Sequence, residues 1–339
     1  MAAPPSCEFP AARTAGRPSL LTPLPSRVSI PTLLSFLSLL SLLSLPVVPA
    51  AAQTRSVAIT IDDLPLNAGP PALACDAPGL TDRHERTLAA LAAAAAPAVG
   101  FVNEGRACDA SVLETLLERW LDAGHLLGNH TATHPDLTRS TIEEYARDIE
   151  AGEPMLRRLL RSRGDSLVYF RHPFLRTGET REKKEALAAY LDRRGYVVAP
   201  VTIDSDEWVF ASAYSRAVAA GDTAGAQRVL AAYVPWFEEV VAHFEGWSID
   251  VLGHEPPQVL LLHVNLLNAE ALPALLAMLQ RRGYRFVSLA EALAALAYAR
   301  EDTFVGRFGS SWLHRWARAE PREVRWEPDA PDWVERVAR

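Results

Sequence analysis

The sequence predicts an α/β fold built on a parallel sheet, either a barrel or a doubly wound sheet. Three observations predict it. Between residues 56 and 299, seven short apolar runs alternate with amphipathic stretches, the arrangement of strands and crossover helices. Gly124, Gly195 and Gly283 stand where three of those stretches stop, the usual place of a helix C-cap. The polar residues suited to chemistry follow the apolar runs, at the carboxyl ends of strands, where parallel α/β folds assemble their sites.

The elements follow in order. Residues 57–61 (VAITI) read as a buried strand, and an alanine-rich helix covers 81–96. The second strand is 99–102, followed by a helix over 111–123 closed by Gly124. Residues 125–128 give strand three; Ser140 and Glu143 form a capping box for the next helix, and 167–170 is strand four. A helix over 180–194 stops at Gly195, and 196–202 is strand five. A mostly helical insertion occupies 211–246. Strand six is 259–262, with a helix over 269–282 ended by Gly283. Strand seven is 284–287, and a last helix covers 289–299. The extension 300–339 carries Trp312, Trp316, Trp326 and Trp333 without a clear period; it either packs across the barrel or binds a partner.

Composition sets outer bounds. A chain of 339 residues, 22% charged and 49% hydrophobic, has the profile of a soluble globular protein. A net charge of -7 excludes nucleic acid as the expected partner, because phosphate binding needs a basic face. The first fifty residues differ from the rest. Arg13, Arg17 and Arg27 precede an uncharged apolar stretch, 30–48, and Ala50-Ala51-Ala52 follows. That order is the pattern of a signal peptide, 1–52, with export to the periplasm or the medium and no membrane insertion after cleavage. A retained membrane anchor is the alternative, since the stretch approaches spanning length. Cleavage would remove Cys7 and leave Cys75 and Cys108 as a pair in an oxidising compartment. Whether they form a disulfide or stay as free thiols is open from sequence. The oligomeric state is likewise unknown.

The chemistry is read from five strand ends, one of them the stretch Asp204 to Trp208 after strand five. Asp62-Asp63 follows strand one; successive side chains leaving a strand point to different sides, so one carboxylate can bind a cation while the other faces substrate. In His130-Thr131-Ala132-Thr133-His134 the imidazoles stand four apart, the spacing that on one helical turn lets both grip one ion. With a strand-end carboxylate they make three ligands and leave coordination open for water. Arg171, in Arg171-His172-Pro173-Phe174, can pair with a carboxylate and orient it. His263 closes the run Val259-Leu260-Leu261-Leu262 and can donate a proton. Each residue alone also has a plain structural explanation, as a turn, a salt bridge or a core histidine; the combination is more specific than any member.

These residues resemble the polysaccharide deacetylases of carbohydrate esterase family 4, the NodB homology domain. Thr60-Ile61-Asp62-Asp63-Leu64-Pro65 is similar to T-F-D-D-G-P, and His130 to His134 to H-[ST]-x-x-H. Arg171-His172-Pro173-Phe174 is similar to R-x-P-[FY], the stretch Thr202 to Trp208 to D-x-x-D-W, and Leu261-Leu262-His263 to L-x-H. The resemblance implies a distorted seven-stranded (β/α) barrel over 53–299. It implies a divalent metal, zinc in many members, held by Asp63, His130 and His134. It further implies Asp62 as general base, Arg171 as its orienting partner, and His263 as acid tuned by Glu207 or Asp206. Phe174, Trp208 and Leu261 would line the acetyl pocket, with the Phe174 N–H completing an oxyanion hole. The implied substrate is an N- or O-acetylated glycan: peptidoglycan, a chitin-like oligomer or an exopolysaccharide. Two other readings stay open: a metal-dependent amidase or esterase for a smaller molecule, and a glycan-binding or metal-storing protein without catalysis.

Three departures from the family pattern bear on the site. Leu64 replaces a glycine and is expected to narrow or reshape the site floor. Glu207 stands where aspartate is usual before Trp208. The insertion 211–246, between the last two motifs, is expected at the rim, partly covering the groove.

Overall fold

A computed structural model gives the fold and describes residues 55–67, 73, 75–320 and 322–339. The expected signal peptide, 1–52, lies outside the described residues. Seven strands form one sheet: β1 (Ser56–Leu64), β2 (Ala98–Val102), β3 (Leu126–Asn129), β4 (Tyr169–Phe170), β5 (Val197–Val198), β6 (Gln258–His263) and β7 (Arg285–Phe286). Their order is β5-β4-β3-β2-β1-β6, with β7 paired to the start of β1. All pairings are parallel.

The sheet curls back on itself. After β5 the chain meets Pro200, which has no N–H for a ladder, and the ladder onto β4 ends at Ala199. Thr202 and Ile203 then hydrogen-bond to β6 instead, through the Val259 carbonyl and the Leu261 N–H. The predicted strand over 196–202 is therefore two short pairings to two neighbours, and together they close the barrel-like curl.

Alternation along β1 explains the two layers. Ala58 faces inward with Val99, Phe101, Tyr169, Ala199 and Val259, a small core inside the curl. Val57, Ile59 and Ile61 face outward and are covered by helices in the larger core. The helices that follow β1 to β4 are α1 (Ala77–Ala93), α2 (Ala110–Asp122), α3 (Ile142–Ala151), α4 (Pro154–Arg161) and α5 (Arg181–Arg193). Those that follow β5 to β7 are α6 (Glu207–Ala219), α7 (Thr223–Leu252), α8 (Leu266–Arg281) and α9 (Leu289–Leu293). The last two are α10 (Trp312–Arg318) and α11 (Asp332–Ala338).

Several expectations shift. The capping box sits one residue on: Thr141 accepts from the Glu144 N–H, and the Glu144 side chain takes the Thr141 N–H. Ser140 instead donates to the Asp136 carbonyl. The insertion is larger than expected, from Glu207 to Leu252, and α7 buries Tyr233, Trp236, Phe237, Val240, Val241 and Phe244 against the core. Each such side chain is worth about 1.5–3 kcal/mol on burial, so α7 is a structural layer and not a flap. Cys75 and Cys108 are bonded as a disulfide. Among the described residues, no helix is long and apolar enough to cross a membrane.

Candidate active site at the carboxyl ends of the strands

Asp62 continues the inward series Ala58, Thr60 and is 2% exposed. Alternation would send Asp63 to the opposite side. It does not go there. The β1–β2 register shifts between Ile61 and Leu64, and Asp63 takes a left-handed φ of 63°. This bulge turns Asp63 back into the cleft, so both carboxylates face one imidazole. His130 Nε2 lies 3.5 Å from Asp63 Oδ1 and 3.7 Å from Asp62 Oδ2. His134 Nε2 lies 3.6 Å from the same Asp63 oxygen.

The two histidines are not on a helical turn. They sit in an irregular loop after β3, with Thr131 at φ 66° and His134 at φ 59°. Asn103 fixes this loop by donating to the His130 and Thr131 carbonyls, and the His134 N–H donates to Thr131 Oγ1 at 3.1 Å. Among the described residues, five of the six non-glycine residues with positive φ belong to this site: Asp63, Thr131, His134, Phe174 and Leu175. Such backbone costs about 1–3 kcal/mol per residue and persists where its surroundings enforce it, typically at functional sites.

Arg171 is fully buried, 4.7 Å above the Phe101 ring. It donates to Thr60 Oγ1 at 2.9 Å and places Nη1 3.6 Å from Asp62 Oδ2. Its own carbonyl takes the His130 Nδ1–H at 2.8 Å, which leaves His130 Nε2 as the cleft-facing lone pair. On β6, where His263 is the register partner of Asp62, His263 Nδ1 is 2.7 Å from Glu207 Oε2. Asn265 and Asn268 hold the other Glu207 oxygen at 2.5 and 2.8 Å. Of the two acids considered for this role, the structure brings Glu207 to His263; Asp206 lies on the cleft wall.

The electrostatics divide the carboxylates. Burial pushes the Asp62 carboxyl up to about 6, against the pull of Arg171. Burial acts on Asp63 too, but His134 and His130 outweigh it and hold Asp63 down at about 2. Burial keeps His130 and His134 below the usual imidazole range. Asp63 as the anion and both imidazoles neutral are the states that bind a cation. His263 goes the other way: burial alone would lower it, yet the hydrogen bond and charge of Glu207 hold it up at about 9.

The residues fit a metal. One ligand atom from each of Asp63, His130 and His134 lies within 4.8 Å of the others. Asp63 Oδ1 is buried and has no hydrogen-bond partner. Separations of 3.5 and 3.6 Å are near the roughly 3.3 Å edge of a tetrahedron with bonds of about 2.0 Å. A second cluster, His243, His314 and Glu327, fits less well. Its His314 engages both ring nitrogens, with Ser311 Oγ at 2.9 Å and the Arg325 carbonyl at 2.8 Å.

The cleft has a volume of about 690 Å³ and gathers every predicted residue except Arg171 and Glu207, which stand behind its wall. Phe174, Trp208 and Leu261 line it as expected. Leu64 does not: its side chain is buried over Gly100 and leaves the site floor alone. Nor does α7 reach the cleft; of the insertion only Trp208 and Ser212, from the start of α6, line it. The outer wall comes from the C-terminal extension, through Phe308, Gly309 and Glu327. Sequence reasoning missed these; Asp204, which it placed at the end of strand five without a role, also lines the cleft, and burial pushes its carboxyl up to about 6. It also missed Asn67 and Arg106, which hold the second Asp63 oxygen. The tail residues carried no usable signal.

Residues 50–192 match the family described as polysaccharide deacetylase. Over this stretch, less than half of the chain, the sequence is similar to that family. The match takes in Asp62, Asp63, His130, His134 and Arg171, while Glu207 and His263 lie beyond it. No curated protein matches the chain. Among solved structures it is similar to a CE4 family pseudoenzyme from Bacillus anthracis, at 17% identity and a TM-score of 0.47, over 71% of this chain and 66% of that one. It is similar to a peptidoglycan deacetylase from Bacillus subtilis, at 18% and 0.44, over 71% and 91%. A polysaccharide deacetylase from Bacillus cereus gives 20% and 0.47, over 69% and 91%.

Proposed function

We propose that this protein is an exported, divalent-metal-dependent hydrolase that removes acetyl groups from an N- or O-acetylated glycan. One observation carries the reading. Two carboxylates with opposite pKa shifts meet one imidazole within 3.7 Å, and His263, in register with Asp62 on the neighbouring strand, is already paired with an acid. Export rests on the basic, apolar and small-residue order of residues 1–52.

Asp63, His130 and His134 hold the cation, zinc by the preference of a carboxylate and two imidazoles. When bound there, it supplies Lewis-acid polarisation of the acetyl carbonyl and acidifies water. Asp62, ionised near neutral pH, takes the proton from the attacking water, and Arg171 keeps that carboxylate in place. His263 gives its proton from Nε2 to the departing nitrogen or oxygen as the acyl bond breaks. The products are acetate and a free amine or hydroxyl. Trp208 and Leu261 enclose the acetyl methyl, and the Phe174 main chain faces the developing oxyanion.

A proton donor works only while protonated, so turnover falls as pH rises through the pKa of His263. Glu207→Gln removes the charge that holds this pKa up. The basic limb of the kcat–pH profile should therefore move down by about 1–3 units. An unmoved basic limb would take Glu207 out of this role.

The reading is tested by acetate release from N-acetylglucosamine oligomers and from peptidoglycan, with and without chelator. Release that stops with chelator and returns with zinc is expected. No acetate from any acetylated glycan, with the metal-loaded protein, overturns it.

A further inference from the structure

Four aromatic side chains are exposed among the described residues, and three of them line this one cleft: Phe174 at 50%, Trp208 at 54% and Phe308 at 76%. The fourth, Trp326, is engaged by the His314 ring at 4.7 Å and the Arg318 guanidinium at 5.3 Å. A large aromatic left in water on a well-fixed segment is an informative exposure, because burying it elsewhere would stabilise the fold.

The segment around Phe308 is well fixed. Gly309 lies so close to the turn Pro173–Leu175 that an added Cβ would stand 1.7 Å from the Phe174 carbonyl oxygen, so only glycine fits. Arg315, with no exposed side-chain surface, ties the same pieces together. Its guanidinium donates to the Leu175 and Ser310 carbonyls, to Thr177 Oγ1 at 3.1 Å and to Asp302 Oδ2 at 2.9 Å. The Trp312 ring lies 3.9 Å from it. The Trp312 N–H donates to the Val201 carbonyl at 2.6 Å, pinning the extension to the strand-five segment. Phe308 is thus held at the rim beside Phe174, facing solvent.

We infer that the C-terminal extension supplies part of the substrate site, with Phe308 as a platform on which a sugar ring next to the acetylated one stacks. Sugar rings present C–H faces that pack on aromatic rings, and a rim of three aromatics around a catalytic pocket suits a chain of such rings. This rests on the proposed glycan reading and assigns the outer subsite within it. A small acetyl ester would fill only the inner pocket of Trp208 and Leu261 and would not touch Phe308.

The test compares wild type, Phe308→Ala and Phe308→Tyr, all zinc-loaded, with the N-acetylglucosamine tetramer and with p-nitrophenyl acetate. Calorimetric Kd for the tetramer is measured alongside kcat and KM. The expected result is a tetramer Kd and KM raised roughly 3–10-fold in Phe308→Ala. Turnover of the small ester should be unchanged, and Phe308→Tyr should restore tetramer binding. Three results overturn the inference: an unchanged tetramer Kd in Phe308→Ala, an equal loss on the small ester, or no tetramer binding by wild type. Tetramer binding that depends on Phe308, without acetate release, leaves the platform standing and overturns the hydrolase reading instead.

Discussion

Asp62→Asn is expected to lower turnover by about 10²–10⁴-fold while leaving one divalent cation bound per chain. Asparagine has the size of aspartate but cannot accept a proton from water at neutral pH. Asp62 borders the three ligand residues, with its Oδ2 3.7 Å from His130 Nε2, but is not grouped with them and has its own partner in Arg171, 3.6 Å away. Its pKa, pushed up to about 6 by burial, is that of a base matched to neutral pH rather than a permanent anion. Asp63, one residue on and held at about 2, is the permanent anion. Elemental analysis and acetate release on the same sample separate the two roles. Near-normal turnover in Asp62→Asn would remove it as the base.

His134→Ala is expected to lose both metal and activity, with affinity falling by more than about 100-fold. Loss of an outer partner of a metal ligand already costs 10–100-fold, and here a ligand itself goes. His134 occupies a left-handed backbone position at φ 59°, where alanine is strained. His134→Asn therefore belongs beside it, since asparagine enters that region readily and isolates ligand loss from loop strain. Both variants should bind zinc weakly by competition with a chelating dye. Unchanged zinc content in both would contradict the ligand assignment.

Much of this site was legible in the sequence because burial and chemistry change abruptly at a strand end. The run 57–61 is apolar and Asp62 is not; 259–262 is apolar and His263 is not. That contrast placed Asp62, His130, Arg171 and His263 at one end of the fold before any coordinates. What escaped depends on backbone detail that side-chain pattern does not encode. Simple alternation put Asp63 on the wrong side, because a bulge with positive φ reverses it. The four-residue spacing of His130 and His134 suggested a helical turn, whereas Asn103 and Thr131 shape a loop with the same reach. Leu64 looked like an obstruction and is instead a core residue over Gly100. The tail was unreadable because its role rests on Arg315, a charge buried by partners more than a hundred residues away, Thr177 and Leu175.

The most direct test of the central claim is anomalous diffraction at the zinc edge from crystals of the zinc-loaded protein. The expected result is one strong peak within about 2.0–2.2 Å of an Asp63 oxygen and of Nε2 of both His130 and His134, with Asp62 outside that distance. A peak at another cluster, or none at these three residues under saturating zinc, would contradict it.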